Sequence, residues 1–206
     1  MQRNTEKQST EKRDEIMQYA EDKLNAYMEE WCGMECSGGE MRGQRGCNIE
    51  RFVRKVINKI GKLYDIDFTA LNGNDDKKEL KIPNTEISKQ HQVDVHVYLD
   101  GKFVAAIECK AYLDSCYYVR ACDDFHLFKR FNYDVKNYIF ALENSIKDET
   151  KMFTDHTTEN ICDDVFYVLD GKRSSAKPIY IEKYRKSINK KLLATFIDSM
   201  LALGVV

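Results

Sequence analysis

Asp94, Glu108 and Lys110 are the residues of this sequence whose types and spacing could carry chemistry. They lie in VDVHVYLDGKFVAAIECKAY, Val93 to Tyr112, where valine and alanine otherwise prevail. Two carboxylates brought together repel, and a cation beside them relieves the repulsion. Lysine supplies part of that relief. A hard divalent ion such as Mg2+, which takes few protein oxygens and keeps several waters, supplies more. Such an ion activates water and stabilises charge on a phosphodiester, while a lysine orients or deprotonates the attacking water or stabilises a phosphorane. The chemistry is phosphodiester hydrolysis, provided the three side chains share a face. On a solvated strand the same triple would be surface ion pairing.

The turn decides which. Asp100-Gly101 is a tight-turn signal, and side chains alternate faces along a strand. A two-residue loop pairs Leu99 with Lys102 and Asp94 with Ile107, which scatters the charges. A three-residue loop from Leu99 to Gly101, closed by a glycine bulge, pairs Tyr98 with Lys102. It sets Asp94 opposite Ala106, diagonal to Glu108, and gathers the charges. Burial of one face fixes register, so the bulged form is predicted. His96 shares the face of Asp94 and reads as structural or peripheral. Cys109 points the other way and reads as a core thiol.

The elements that must position this hairpin follow from periodicity. Residues 1–13 are polar and expected to fray. Ile16, Ala20, Leu24, Tyr27, Met28 and Trp31 recur at helical steps, giving a helix over 14–31. CGMECSGGEMRGQRGC holds five of the ten glycines and is predicted to be a long loop. NIERFVRKVINKIG is a helix capped by Asn48 and ended by Gly61, with Ile49, Phe52, Val53, Val56, Ile57 and Ile60 in one stripe. A strand (LYDIDFTAL), a polar excursion, the hairpin, a helix near 116–132, two strands (VKNYIFALEN and DDVFYVLDG) and an amphipathic C-terminal helix complete the order. Residues 144–162, between those two strands, are charged and carry no clear period. A mixed α/β (α+β) fold is expected, with a central sheet flanked by helices.

The 206 residues suit a single domain, 1–206, with the N-terminal helical segment 14–31 and a catalytic core of about 48–170. Apolar residues make up 43% and charged residues 32%, enough for a packed core under a polar surface. A net charge of -2 neither demands nor excludes nucleic acid. The polar start, and the lack of an apolar run of membrane-spanning length, predict a cytoplasmic protein with no membrane association and seven reduced cysteines. Cys32, Cys36 and Cys47 lack a clear fourth ligand for zinc and read as thiols.

Asp94 followed by Glu108-Cys-Lys110 resembles the active-site signature of the PD-(D/E)xK nuclease superfamily. The layout, with a helix before the sheet and E-x-K on the partner strand, is similar over roughly Asn48 to Asp170. Val93 stands where that signature has its proline. Within the superfamily the chain looks most like a small type II restriction endonuclease. RGQRGCNIE resembles the approach to the first core helix of such enzymes, where a glutamate, here Glu50, often points at the metal site. The resemblance implies a restriction-endonuclease-like fold and a Mg2+-dependent homodimer cutting double-stranded DNA at a short specific sequence. It would use Asp94, Glu108 and Glu50 at the metal, and Lys110 as a further catalytic residue. A repair, recombination or phage DNA-processing nuclease of the same fold, or an inactive DNA-binding protein, are the alternatives.

Glu50 has a second reading, as an acid favoured by the dipole at a helix N-terminus. Arg42, Gln44 and Arg45 in the glycine loop are candidates for base or phosphate contact. Arg120, with Lys129 and Arg130, and Lys172, Arg173 and Lys177 in DGKRSSAKP, are candidates for backbone contact.

Overall fold

The computed structural model describes residues 2–32, 34 and 38–204, and their side chains except those of residues 2–9, 38 and 42. The apolar stripe found in the sequence builds the first helix, α1 (Gln2–Cys32), which extends through the segment expected to fray. A second helix, α2 (Gly38–Tyr64), lies against it in the opposite sense, with Glu15 meeting Lys59 at 2.6 Å and Glu30 meeting Gln44 at 3.4 Å.

Helix α2 corrects the predicted glycine loop. Asn48 is not a cap and Gly61 is not an end; both lie inside the helix. The reason is packing. Met41, Arg45 and Asn48 are buried and continue the stripe of Ile49, Phe52 and Val56 one helical turn after another toward the N-terminus. Two of those three residues are polar, so hydrophobic periodicity fades where burial does not. Gly43 and Gly46 each weaken the helix by about 1 kcal/mol relative to alanine, and tertiary contact overrides that.

The chain then forms β1 (Phe68–Asn72) and a small antiparallel hairpin of β2 (Lys78–Lys81) and β3 (Ser88–His91), where the sequence suggested only a polar excursion. Next come β4 (Val95–Leu99), β5 (Lys102–Leu113), α3 (Ser115–Arg130), β6 (Lys136–Asn144), α4 (Asp148–Thr157), β7 (Asp164–Tyr167) and α5 (Lys190–Leu203). The main sheet has the order β1-β4-β5-β6-β7. Its β1, β4 and β5 run antiparallel, and β5, β6 and β7 run parallel. Helices α1, α2 and α5 cover one face over a core that includes Val95, Ile107, Phe140 and Phe196. Helix α3 covers the other through Tyr118, Ala121, Phe125 and Phe128. The mixed sheet between helical layers is the fold expected from the sequence. Among the described residues no helix is long and apolar enough to cross a membrane.

The hairpin differs from prediction in one respect. Its turn is the two-residue form, with Asp100 and Gly101 both at positive φ (49° and 73°) and Leu99 opposite Lys102. The extra residue sits higher up. Tyr98 pairs with Phe103 and Val97 with Ala105, which leaves Val104 unopposed. One inserted residue reverses the alternation of faces wherever it sits. His96 therefore pairs with Ala106 and Val95 with Ile107. Continued by one residue, that register sets Asp94 opposite Glu108.

A polar cluster anchors this edge. Asp76 accepts hydrogen bonds from His96 Nδ1 (2.9 Å), Lys78 Nζ (2.9 Å) and the Tyr98 hydroxyl. His96 Nε2 accepts from the Val93 amide at 3.4 Å, so the ring proton sits on Nδ1 and the imidazole is neutral. Burial pushes the His96 pKa down, against the pull of Asp76. His96 is structural, and it fixes the backbone beside Asp94. Asp76→Ala would strand these donors and is expected to destabilise the fold by about 2–3 kcal/mol in urea denaturation; a loss under 0.5 kcal/mol would refute the anchoring role.

Candidate active site

The ladder between β4 and β5 ends at Val95 and Ile107, while β5 continues to Leu113. Beyond that point β6 is the one strand that pairs with β5 among the described residues. The freed amide of Cys109 donates instead to Asp94 Oδ2 at 2.7 Å, so a side chain takes the place of a strand. Lys110 Nζ donates to the same Asp94 oxygen at 3.0 Å and to Glu108 Oε2. The structure thus brings Asp94, Glu108 and Lys110 together, with Asp94 facing Glu108 more directly than the predicted diagonal. They line a cleft of about 410 Å³.

The electrostatics follow from burial. Glu108 is 6% exposed. Burial, reinforced by Asp94 and opposed by Lys110, pushes its carboxyl from 4.5 up to about 7. Burial acts to lower the Lys110 pKa, but Glu108 and Asp94 outweigh it and hold the ammonium charged well above the ordinary lysine range. Cys109 is buried in the opposite core, and burial keeps its thiol protonated, as expected of a packing residue.

Glu50 lies in the middle of α2, so the helix-dipole reading falls away with the corrected helix start. Burial raises its pKa first, then the charge of Asp94, with Lys110 and Arg54 opposing. Glu50 is therefore in electrostatic reach of the cluster. Helix α3 adds a residue the sequence reading missed. Asp124 lines the cleft, its pKa raised by burial and opposed by His91, Arg120 and Lys110. Tyr117, Arg120 and Asp124 line the cleft at steps of three and four, a polar helical face that was available as a signal. The Asp114 cap, accepting from the Tyr117 amide at 2.9 Å, starts that helix at the cleft rim.

Of the candidate nucleic-acid contacts, Arg120 lines the cleft. Arg42 lies in α2, with its side chain outside the described residues. Gln44 is held by Glu30 and by Asn48 at 3.5 Å, within a helix and not a loop. Arg45 is buried, its Nε on the Met41 carbonyl at 3.4 Å. Lys172 is exposed, with Nζ 3.8 Å from Asp148. Arg173 lies over the Tyr112 ring at 3.8 Å.

Among the described residues no three His, Cys, Asp or Glu side chains form a ready-made metal cage. Cys36 lies outside those residues, Cys47 is exposed, and Cys32 approaches the Ile179 carbonyl at 4.0 Å. The donor set at the cleft nevertheless fits a hard dication that takes few protein ligands: oxygens only, gathered around one ammonium, with Glu108 needing positive charge to ionise. Without a bound dication, burial and Asp94 keep the Glu108 pKa raised in the folded state even beside Lys110. Between pH 4.5 and about 7 the folded state holds a proton that the unfolded chain has lost. Metal-free stability is expected to fall as pH rises through that window. Glu108→Gln lacks this slope, so its melting temperature should gain on the wild type from pH 4.5 to about 7. Parallel pH profiles would refute the shift.

No protein-family model matches the sequence. The type II restriction enzyme DdeI of Desulfomicrobium norvegicum is 34% identical over 77 residues, covering 37% of this chain and 32% of the relative. The match thus spans about a third of that relative's length. Among solved structures, a native BbvCI A2B2 tetramer is 10% identical, with a TM-score of 0.41 over 98% of this chain and 91% of that one.

Proposed function

We propose that this chain is a Mg2+-dependent endonuclease of the type II restriction class, hydrolysing phosphodiester bonds of double-stranded DNA at a short specific sequence. The observation that carries the reading is the convergence of Asp94 and Glu108 on the Lys110 ammonium at the open end of β5. The partial likeness to a type II restriction enzyme supports it. Asp94 and Glu108 would hold Mg2+ with Glu50 assisting, and the ion when bound supplies charge stabilisation on the phosphoryl oxygens and a more acidic water. Lys110, bonded to both carboxylates, would orient the attacking water and stabilise developing negative charge. The core of α2 and β5 keeps these groups from relaxing apart. The protein is proposed to act in the cytoplasm as a homodimer, so that both strands are cut.

Incubation with plasmid and phage DNA in Mg2+, followed by sequencing of the ends, tests the reading. Discrete fragments with one shared end sequence are expected. End- or structure-dependent degradation would mark a repair or phage-processing nuclease instead. Binding without cleavage in Mg2+ and Mn2+ would mark an inactive DNA-binding protein.

A further inference from the structure

A second, smaller cavity of about 270 Å³ lies beside the carboxylate cleft, lined by Arg45, Arg173, Ser174, Ser175, Glu143 and Tyr180 among others. Two links join it to the cleft. Arg45 is followed in α2 by Gly46, which lines the cleft. Tyr112, also a cleft residue, carries the Arg173 guanidinium on its ring at 3.8 Å and pairs in register with Glu143. Arg45 is 6% exposed and stacks over Tyr180 at 5.4 Å. The Glu143 carboxylate is met at 2.8 Å by Lys186. The cavity therefore holds two guanidinium groups and a carboxylate that already has a cation of its own.

That composition suits a single anion. Burying a guanidinium is costly unless it is paired. Here burial lowers the Arg45 pKa, Glu143 works against this, and the nearby charge of Arg173 lowers it further. An anion between the two arginines would remove that repulsion. Planar guanidinium groups match phosphate oxygens in pairs, and the Ser174 and Ser175 hydroxyls add neutral donors.

We propose that the cavity formed by Arg45, Arg173, Ser174 and Ser175 is a subsite for a non-scissile phosphodiester of the nucleic-acid strand whose scissile phosphate occupies the Asp94–Glu108–Lys110 cleft. The subsite rests on the nuclease reading, because the adjoining cleft supplies the strand. It anchors the backbone without reading sequence, and the Arg173–Tyr112 stack ties its occupancy to the cleft wall.

The test is fluorescence anisotropy of a labelled mixed-sequence duplex with the full chain in EDTA, titrated from about 50 to 200 mM salt. Arg173→Gln is expected to weaken binding about tenfold at the low end. It should also flatten the dependence of log K on log salt by about 0.9, the loss of one phosphate contact. Arg173→Lys should keep the slope. Arg45→Lys should keep the slope and lose affinity, since it preserves charge and removes the planar fork. Thermal unfolding confirms that each variant is folded. Asp94→Asn serves as the reference that binds but does not cut. Unchanged affinity and slope in Arg173→Gln would overturn the subsite and leave the nuclease reading standing, provided the wild type cuts in Mg2+ and Asp94→Asn does not. A flattened slope in Arg173→Gln together with a wild type that binds duplex but cuts in neither Mg2+ nor Mn2+ would support the phosphate subsite and remove the nuclease reading. No duplex binding by the wild type would overturn both.

Discussion

Lys110→Met is expected to lower Mg2+-dependent DNA cleavage by about 100- to 1000-fold or more, with the fold retained. Among the described residues, Lys110 is the group that bonds to both carboxylates of the cluster, through Asp94 Oδ2 at 3.0 Å and Glu108 Oε2. Methionine keeps the length and apolar stem but removes every donor. Asp94→Asn and Glu108→Gln are expected to fall as far, since each removes a charge proposed to hold the metal. Because the three act as a unit, the double variant Asp94→Asn/Lys110→Met should be no worse than the poorer single variant. The fold survives because Glu108, deprived of Lys110, can take up a proton. Circular dichroism and initial cleavage rates check both halves. A Lys110→Met protein that cuts within threefold of wild type would remove this residue from the chemistry.

Gly73→Ala is expected to do comparable damage from outside the cleft. A methyl group there would meet the Val93 carbonyl oxygen at 1.7 Å and its carbon at 2.9 Å, both backbone atoms that cannot swing aside. The Gly73 amide also donates to the Asp94 carbonyl at 3.1 Å. The backbone beneath Asp94 must therefore move if Gly73 gains a side chain. Overpacking of this kind costs about 2–3 kcal/mol. Misplacing Asp94 by about 1 Å lowers catalysis by roughly 100-fold. Urea denaturation and cleavage rates should fall together. Wild-type stability with wild-type cutting would show that the close approach of Gly73 to Val93 is not needed.

The clustering of Asp94, Glu108 and Lys110 was more legible in the sequence than the scaffold that carries it. The face shared by Asp94, Glu108 and Lys110 follows from parity: one extra residue in the hairpin gathers the charges, wherever it is inserted. The predicted turn was wrong and the structure places the bulge at Val104, yet the consequence for the acids is the same. The N-terminal part of α2 was illegible for a different reason. Its buried face contains Arg45 and Asn48, so polarity and glycine content outweighed a period that only burial reveals. The helical stripes of α1, the rest of α2, α3 and α5 were readable because their inward residues are almost all apolar. Asp76 and its bonds to His96 and Tyr98 join residues about twenty positions apart through a hairpin with little periodicity, which no local pattern discloses. Asp124 was readable in principle, on the face it shares with Tyr117 and Arg120.

The central claim, that this carboxylate and lysine cluster cuts DNA with a divalent ion, is tested most directly by the rate of supercoiled plasmid nicking against Mg2+ concentration. Wild-type protein should be silent in EDTA, gain activity as Mg2+ is added and then saturate, while Asp94→Asn stays silent throughout. Nicking by wild type in EDTA, silence in both Mg2+ and Mn2+, or Mg2+-dependent nicking by Asp94→Asn at the wild-type rate would contradict it.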